Sequence, residues 1–369
     1  MKTRQTLILG LDIGGANTKA ALLKFKDKNL ISSFSYIEYF PFWEKTKEHL
    51  KILFQRIISK IIVENRLNKN DIDHIAISMT AELSDAFQTK DEGVLSIINA
   101  LTSVFNDKKL HFITLENEFV QLSRAYQNPY SLAAANWVST TLYLGYFEPK
   151  CILIDAGSTT IDLIPIFKSL PDTKGKTDIE RLKYHELIYT GGLRATIPSI
   201  THYVPFRGNN LRLSFEKFAL ISDVHRILHN ISESEYINDT ADNRSKSIED
   251  SYARLSRIIC ADLNMISRNE LDDIAIYIYN KQKELINEEI REFSQIHDLK
   301  KYIDNENNLK FIITGLSADF LIKPVLNDLD FNIIKKYEEI TKIPDCISSS
   351  AYAVAGAFYF RHLIEKNEQ

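Results

Sequence analysis

The sequence lacks most of the features that mark secreted, membrane-bound or metal-clustering proteins. Only three cysteines occur in 369 residues, and they are far apart, so neither a disulfide framework nor a CxxC metal pattern is predicted. No apolar run reaches the ~18 residues of a membrane helix, and the apolar stretch near the first residue is too short for a signal peptide. We therefore expect a cytoplasmic protein with no membrane association.

A strong charge of either sign is also missing. The 45 Lys and Arg residues nearly balance the 49 Asp and Glu residues, which gives a net charge of −4. A weakly acidic chain lacks the positive field that attracts nucleic acids, so we expect no nucleic-acid partner. The 44% of hydrophobic and 25% of charged residues are typical of a soluble globular protein. The length suits two domains or one two-lobed unit, and a homo-oligomer is possible.

What the sequence does contain is one pattern that occurs twice. In LILGLDIGGANTKAALLKF and again in CILIDAGSTTIDLIPI, an apolar strand ends in Asp and is followed by small residues and a second apolar stretch. We interpret the first copy as a β-hairpin rather than a strand-to-helix turn. Two such copies, about 140 residues apart, indicate a duplicated two-lobe architecture.

The remaining pattern alternates between helices and strands. Apolar periodicity predicts helices at 44–65 and near 91–105, and strands at 72–79 and 110–115. Helical periodicity dominates from about 215 to 293, and the polar segment SESEYINDTADNRSKSIED within it is expected to be a surface loop. The chain closes with a helix that carries small residues along one face. We expect a first lobe at 1–145, a second lobe at 146–340, and a final helix at 341–369 that returns to the first lobe.

The two Asp-containing turns have the chemistry of phosphate-binding segments. Glycine-containing turns bring successive backbone N–H groups within reach of phosphate oxygens. Asp12 and Asp155 are placed to hold Mg²⁺ through water, because magnesium keeps much of its hydration shell. The candidate phosphate-binding residues are Gly14, Gly15, Asn17, Thr18 and Lys19 in the first turn, and Gly157, Ser158, Thr159 and Thr160 in the second. The alternative is that each turn is an ordinary hairpin.

These turns resemble the phosphate motifs of the actin/hexokinase/heat-shock-protein superfamily. DIGGANTK at 12–19 resembles its first phosphate motif and DAGSTTID at 155–162 its second. TGLSA at 314–318 resembles the adenosine-side turn, with Gly315 retained and Ser317 where a second glycine is usual. The resemblance implies an α/β protein with a two-lobed actin-like ATPase (ribonuclease H-like) fold and duplicated mixed-sheet lobes. It also implies Mg²⁺ as a cofactor and ATP as a possible one.

Several shorter motifs narrow the resemblance to hydantoinase/oxoprolinase-related proteins tied to tetrahydromethanopterin-linked one-carbon metabolism. The motifs are MTAELSDAF (79–87), AAANW (133–137), YTGGLRA (189–195), VPFRG (204–208), DTADNR (239–244) and SYARLSR (251–257). That group includes a synthase of methanofuran biosynthesis. It implies small-molecule substrates: an aminomethylfuran methyl diphosphate joined to the phenol oxygen of γ-glutamyltyramine, with release of diphosphate.

Such a reaction needs a base, because a phenol has a pKa of about 10. Glu82 is the first candidate, with Asp85 beside it in the same motif. Either carboxylate is equally well explained as a solvated loop residue or a helix N-cap. Asp162, just past the second turn, is a further candidate, and its alternative is a structural hydrogen-bonding partner.

Two arginines and two residues of the AAANW motif are candidates for substrate binding. Arg194 and Arg207 suit a γ-glutamyl carboxylate or a diphosphate, because a guanidinium forms two parallel bonds to either anion. Solvated surface arginines are the more common case. Asn136 and Trp137 are candidates for lining an aromatic pocket, although a core tryptophan is the plainer interpretation.

Two other functions fit the same turns. The first is an ATP-dependent enzyme, either a small-molecule kinase or a hydantoinase/oxoprolinase-type amide hydrolase. The second is a non-catalytic actin-like sensor that responds to nucleotide. Ser317 counts slightly against tight adenine binding, although a serine is accommodated wherever φ stays negative.

Overall fold

The computed structural model describes residues 5–41, 46–84, 86–304, 308–346 and 348–365. Asp85 and the predicted helix start at 44–45 lie outside these residues. The chain divides into two compact units. Unit 1 comprises Met1–Cys151, Ile164–Asp178 and Tyr337–Gln369, and unit 2 comprises Ile152–Leu163 and Ile179–Lys336.

Strands and helices alternate along the chain. The strands are β1 Thr6–Ile13, β2 Asn17–Lys26, β3 Asn29–Tyr39, β4 His74–Met79, β5 Leu110–Ile113, β6 Phe119–Val120, β7 Lys150–Ala156, β8 Ile161–Phe167, β9 Leu170–Pro171, β10 Leu187–Ile188, β11 Tyr203–Phe206, β12 Asn209–Arg212, β13 Phe311–Thr314 and β14 Ile334–Lys336. The helices are α1 His49–Asn65, α2 Lys90–Thr102, α3 Leu122–Gln127, α4 Asn136–Phe147, α5 Asp178–Lys183, α6 Ile221–Ile227, α7 Ile248–Arg257, α8 Arg268–Ile296, α9 Lys323–Asp328, α10 Tyr337–Thr341 and α11 Ser349–Ala357.

The first sheet has the strand order β3-β2-β1-β4-β5-β6. β1 and β2 are antiparallel, which confirms the predicted hairpin, and β2 and β3 are antiparallel as well. β4 runs parallel to β1, and β5 runs parallel to β4. The carboxyl ends of β1 and β4 therefore lie side by side, and loops that follow those strands come together at one edge of the sheet.

The second sheet repeats this layout. Its order is β10-β8-β7-β13-β14, with β10 antiparallel to β8 and with β13 parallel to both β7 and β14. β7 and β8 thus take the places of β1 and β2, and β13 takes the place of β4. The predicted duplication of a mixed-sheet motif is confirmed at the level of strand order.

The first sheet is packed on both faces. Leu9, Leu11 and Ile13 point to one face, into an apolar core shared with α1 and α2. On the opposite face, a Cβ added to Gly10 would lie only 2.1 Å from the backbone oxygen of Ala351. The predicted helix with small residues is α11. Its backbone approaches β1 closely because the residues at the contact, Gly10 in β1 and Ala351 in α11, have small side chains.

Helices make up much of unit 2, as the periodicity predicts. α6, α7 and α8 surround an apolar core, and α8 contributes a buried stripe along its length. The polar segment at 232–250 is more than a surface loop. Its Tyr236 is fully buried and donates a hydrogen bond to Asp223, while Asp242 accepts one from the buried Arg254. Within the described part of the chain, no helix is long and apolar enough to cross a membrane.

Candidate active site

The turn after β1, residues 14–17 (turn 1), has a geometry suited to an anion. The Gly14 N–H donates to the Asn17 carbonyl at 3.0 Å, and this bond closes the hairpin. The N–H groups of Gly15 and Ala16, at the tip, have no partner in the described ranges. A Cβ on Gly15 would meet nothing within 4 Å. The tip therefore presents free donors to open space, as a phosphate-binding turn requires.

Asp12 lies at the end of β1 with both carboxylate oxygens engaged. The Ser78 hydroxyl donates to one oxygen at 3.0 Å, and the Ser350 hydroxyl at the start of α11 donates to the other at 2.5 Å. Its side chain is 6% exposed. These bonds fix the carboxylate but leave each oxygen a second lone pair, so the arrangement fits a water-mediated Mg²⁺ contact.

No described cluster of side chains forms a complete metal cage. Among the described residues, no group of three or more His, Cys, Asp or Glu side chains is arranged to hold a metal ion. A Mg²⁺ ion here would therefore take most of its ligands from water and from substrate phosphates, as this ion commonly does.

Strand alternation separates the polar residues of β2. Lys19 pairs directly with Asp12 across the hairpin, so the two side chains share a face of the sheet. Thr18 points to the other face, is fully buried, and its hydroxyl has no partner in the described part of the chain. Lys19 and Asn17, both partly exposed, are thus better placed for a phosphate than Thr18 is.

The turn after β7, residues 157–160 (turn 2), repeats this geometry. The Gly157 N–H donates to the Thr160 carbonyl at 2.9 Å, which matches the closing bond of turn 1. The N–H groups of Ser158 and Thr159 have no partner in the described residues, and both side chains are partly exposed. Asp155 stands two residues before this turn, as Asp12 stands two residues before turn 1.

Turn 2 is held in place by residues that sequence reasoning did not assign to the site. The N–H groups of Gly191 and Gly192 donate to the Thr159 and Gly157 carbonyls at 2.9 and 3.0 Å. A Cβ on Gly191 would lie 2.6 Å from the Thr159 nitrogen, so only glycine permits this approach. The available signal was the pair of adjacent glycines in the YTGGLRA motif.

The TGLSA segment also closes on turn 2. The Ser317 hydroxyl donates to the Ala156 carbonyl at 3.0 Å, and the Ser317 φ is −100°. Gly315 has a φ of +91°, and a Cβ there would lie 2.4 Å from the Ala156 oxygen. The serine that replaces the usual glycine is therefore a support for turn 2, and Gly315 is required by both conformation and space.

A buried polar chain continues from these glycines. Gln282 of α8 donates to the Thr190 hydroxyl and the Gly191 carbonyl, both at 3.1 Å, and its oxygen lies 3.0 Å from His225 Nε2. Asn230 bonds the other His225 nitrogen at 3.1 Å. Burial lowers the pKa of His225 to about 3, so the ring is neutral. Gln282 was detectable as the one polar residue on the buried stripe of α8 that the structure describes.

Glu82 follows β4 and is 1% exposed. Its Oε2 atom has no hydrogen-bond partner in the described chain. Burial raises the pKa of this carboxyl to about 7, while its own and the Ala134 backbone amides and Lys90 oppose that rise. The structure therefore excludes the solvated-loop alternative for Glu82.

The AAANW motif lies beside the end of β4. Ala133 forms a parallel bridge with Met79, and Ala134 adopts a positive φ of 51°. Asn136 is partly exposed at the start of α4, whereas Trp137 is only 4% exposed. Trp137 is thus a core residue, and Asn136 stays a prediction for substrate contact.

Asp162, a further predicted base, is bonded to a buried arginine in the structure. Arg181 Nη1 donates to Asp162 Oδ1 at 2.7 Å, and this guanidinium is 1% exposed. A carboxylate held by a buried cation is stabilised in its charged form and is a weak base. This bond favours the alternative of a structural hydrogen-bonding partner, and the role of Asp162 as a base stays a prediction.

The two candidate arginines differ in the groups that they contact. Arg207 forms a two-pronged ion pair with Glu270 at 2.7 and 3.3 Å on the surface of unit 2, so its guanidinium already binds a carboxylate of the protein, and its role as a substrate clamp stays a prediction. Arg194 is exposed, and its backbone N–H donates to the Ser158 carbonyl of turn 2 at 3.1 Å. Arg194 stays a candidate for substrate binding.

Comparison with known proteins shows the family to which the chain belongs. A family model described as hydantoinase/oxoprolinase matches residues 73–361. The chain belongs to the hydantoinase/oxoprolinase family. This family member is 35% identical over 351 residues to the (4-{4-[2-(gamma-L-glutamylamino)ethyl]phenoxymethyl}furan-2-yl)methanamine synthase of Methanocaldococcus jannaschii, across 95% of this chain and 96% of that protein. It is 36% identical over 199 residues to the synthase of the same name from Methanococcus vannielii, across 53% of this chain and 85% of that protein.

Solved structures show the fold of this hydantoinase/oxoprolinase family member. Acetone carboxylase matches with a TM-score of 0.54 and 12% identity, across 95% of this chain and 70% of that one. The hexokinase of Schistosoma mansoni matches with a TM-score of 0.50 and 10% identity, across 96% of this chain and 85% of that one. The predicted actin/hexokinase-type α/β fold is confirmed.

Proposed function

We propose that this chain is a synthase of the methanofuran-biosynthesis type. It joins an (aminomethyl)furan-methyl diphosphate to the phenol oxygen of γ-glutamyltyramine and releases diphosphate. The observation that carries the proposal is the 35% identity to the Methanocaldococcus jannaschii synthase, which extends over almost the full length of both chains.

The name of that relative's product identifies the bond that is made. The product has a furan with an aminomethyl group and, through a CH₂–O link, a phenyl ring that carries the γ-glutamylaminoethyl group. An ether of this kind forms when a phenol oxygen attacks the CH₂ carbon attached to the furan. That carbon needs a good leaving group, and the electron-rich furan stabilises positive charge on it as the leaving group departs.

Diphosphate as the leaving group is supported by turn 1. The departing diphosphate gains negative charge, and catalysis requires fixed donors where that charge develops. The N–H groups of Gly15 and Ala16, which have no partner among the residues that the structure describes, are such donors, and Lys19 and Asn17 lie beside them. In unit 2, Ser158, Thr159 and Thr160 are the corresponding candidates.

Magnesium is the proposed cofactor. Asp12, fixed by the Ser78 and Ser350 hydroxyls, would hold the ion through water, and Asp155 is the corresponding candidate in unit 2. Bound Mg²⁺ neutralises charge on the phosphate oxygens. ATP has no role in this proposal, because the substrate itself carries the phosphates.

A reaction with defined substrates tests the proposal. The pure protein is incubated with Mg²⁺, the furan-methyl diphosphate and γ-glutamyltyramine, and the ether and free diphosphate are quantified. We expect equal amounts of both products without ATP. Ether that forms only with ATP consumption, or ATP hydrolysis without any ether, would establish an ATP-dependent enzyme instead. ATP binding with no turnover of either substrate would favour the sensor.

Asp12→Asn tests the magnesium assignment. We expect about 10- to 100-fold lower activity, the usual cost of disturbing residues that orient a bound metal. Thermal melting gives a second readout, since Mg²⁺ with diphosphate should stabilise the wild type more than the variant. Glu64→Gln, on the exposed face of α1, is the control. Equal activity and equal stabilisation in Asp12→Asn and the control would remove Asp12 from the site.

A further inference from the structure

We propose that Glu82 is the residue that takes the proton from the substrate phenol. This inference rests on the proposed function and adds the missing proton acceptor to it. Glu82 combines three properties: it is buried, one of its oxygens has no partner among the described residues, and it lies next to turn 1. Asp162, the other predicted base that the structure describes, is bonded to Arg181 and lies in unit 2.

The position follows from the register of β1 and β4. Ile13 ends β1 opposite Met79, and the Ile13 carbonyl accepts hydrogen bonds from the N–H groups of Thr80 and Ala81 at 2.8 and 3.1 Å. Thr80 Oγ1 would lie 3.6 Å from a Cβ on Gly14. The segment that leads into Glu82 is therefore hydrogen-bonded to the end of β1, directly before turn 1. All of these residues belong to unit 1.

The backbone around Glu82 is held rigidly. A Cβ on Gly93 of α2 would lie 2.4 Å from the Glu82 backbone oxygen, so the helix packs directly on this residue. A proton acceptor has to be fixed relative to its substrate, and close packing supplies that restraint. A larger residue at position 93 would displace the Glu82 backbone.

The carboxyl group has an unsatisfied oxygen. Oε2 is buried without a hydrogen-bond partner among the described residues. Burying an unpaired polar atom costs about 1–3 kcal/mol, so such atoms are rare in proteins and often belong to functional sites. A phenol hydroxyl is a donor of the kind that this oxygen lacks.

Burial and the neighbouring charges keep the Glu82 carboxylate basic enough to take a proton from a phenol. The charged groups that act on it are Lys90 and Asp178, which form an ion pair with each other at 3.0 Å. Because they pair together, neither neutralises Glu82, and burial governs its pKa, which rises to about 7. A base with a pKa near neutrality accepts a phenol proton more readily than an ordinary glutamate does.

The proposed step balances as follows. The Glu82 carboxylate takes the phenol proton, and the phenol oxygen forms the new bond to the furan-methyl carbon. The carbon–oxygen bond to diphosphate breaks, and diphosphate leaves with the electron pair. Glu82 is left as the neutral acid and returns its proton to water before the next cycle.

Glu82→Gln with two phenols tests the role. With γ-glutamyltyramine we expect kcat to fall by about 10²-fold or more, the usual contribution of a general base. With a ring-fluorinated analogue that is already ionised at the assay pH, we expect the variant to stay within about tenfold of the wild type. Activity with the ionised analogue also shows that the variant is folded.

Three results would overturn the inference. Equal losses with both phenols, together with a raised KM for the furan substrate, would show that Glu82 binds the aminomethyl cation instead. Near-normal activity with γ-glutamyltyramine would show that another group takes the proton. Loss with both phenols and an unchanged furan KM would assign Glu82 a purely structural role.

A wild-type control separates this test from the proposed function. If the wild type makes no ether from either phenol, the proposed function is wrong, whatever the variant does. If the wild type makes ether and the variant responds equally to both phenols, only the role of Glu82 is wrong. Glu64→Gln again serves as the matched carboxamide substitution at an exposed site.

Discussion

At the scale of single residues, the surroundings distinguish two carboxylates that the sequence offers as bases. Glu82 follows β4 and is buried with no bonded cation among the described residues, whereas Asp162 lies at the start of β8 and is bonded to Arg181. The first environment favours the neutral acid and the second favours the anion. Sequence reasoning named both candidates, and it lacked only the long-range partner that distinguishes them.

The raised pKa of Glu82 makes a prediction about stability. The pKa is about 7 in the folded protein against an ordinary value of 4.5, so the folded state binds the proton more tightly than the unfolded chain. The wild type therefore loses stability relative to Glu82→Gln as pH rises from about 4.5 to about 7, by about 3 kcal/mol in total. Urea unfolding at several pH values measures the difference. If the stability difference between the wild type and Glu82→Gln does not change with pH, folding does not raise the pKa of Glu82.

Asp162 makes a contrasting prediction. Asp162→Asn removes the carboxylate that is bonded to the buried Arg181, and breaking a buried ion pair typically destabilises a protein by about 3–5 kcal/mol. If Glu82 is the base and Asp162 a structural partner, the folded variant keeps near-normal activity. Arg207→Gln is the matched control at an exposed ion pair, where we expect a loss of at most about 1 kcal/mol. Similar stability losses in the two variants would contradict this account.

At the scale of elements, local patterns predict the hairpins but not what supports them. The apolar strand, Asp and glycine of each turn are neighbours in sequence, so the pattern predicts both turns. Because side chains alternate along β2, Thr18 and Lys19 point to opposite faces of the sheet, although both were predicted to bind phosphate. The contacts of Gly191 and Ser317 with turn 2 cross about 30 and 160 residues, and no local periodicity reports on contacts at that range.

Gly315 tests how tightly turn 2 is supported. Gly315→Ala meets both a positive φ of 91° and a backbone oxygen 2.4 Å from the new Cβ. Gly208→Ala is the control, because Gly208 also has a positive φ, 77°, but open space around it. We expect the control to lose about 1 kcal/mol from conformation alone and Gly315→Ala to lose clearly more, as measured by urea unfolding. Equal losses would mean that the segment around Gly315 moves aside freely.

At the scale of the whole molecule, the repeated strand–Asp–turn pattern predicts a duplicated α/β architecture, and the resemblance of the turns predicts an actin/hexokinase-type fold, which the solved structures confirm. The fold alone could not identify the substrate, because the same fold serves unrelated reactions. Six shorter motifs outside the turns carried the narrower resemblance, and the 35% identity over 95% of the chain bears it out.

Ligand binding tests the phosphate assignment on the whole protein. A ligand that binds only the folded state stabilises it by about 2.7 kcal/mol at a concentration 100 times its Kd. We expect Mg²⁺ with diphosphate to raise the melting temperature, and ATP with Mg²⁺ to raise it less. A larger rise with ATP than with diphosphate would favour the ATP-dependent alternative.

The most direct test of the central claim follows one oxygen atom through the reaction. γ-Glutamyltyramine labelled with heavy oxygen at its phenol is incubated with the protein, Mg²⁺ and the furan-methyl diphosphate. If the phenol oxygen attacks the furan-methyl carbon, the label stays in the ether and the released diphosphate is unlabelled. An unlabelled ether with the label in a phosphate would show that the phenol carbon–oxygen bond breaks instead, and would contradict the proposed function.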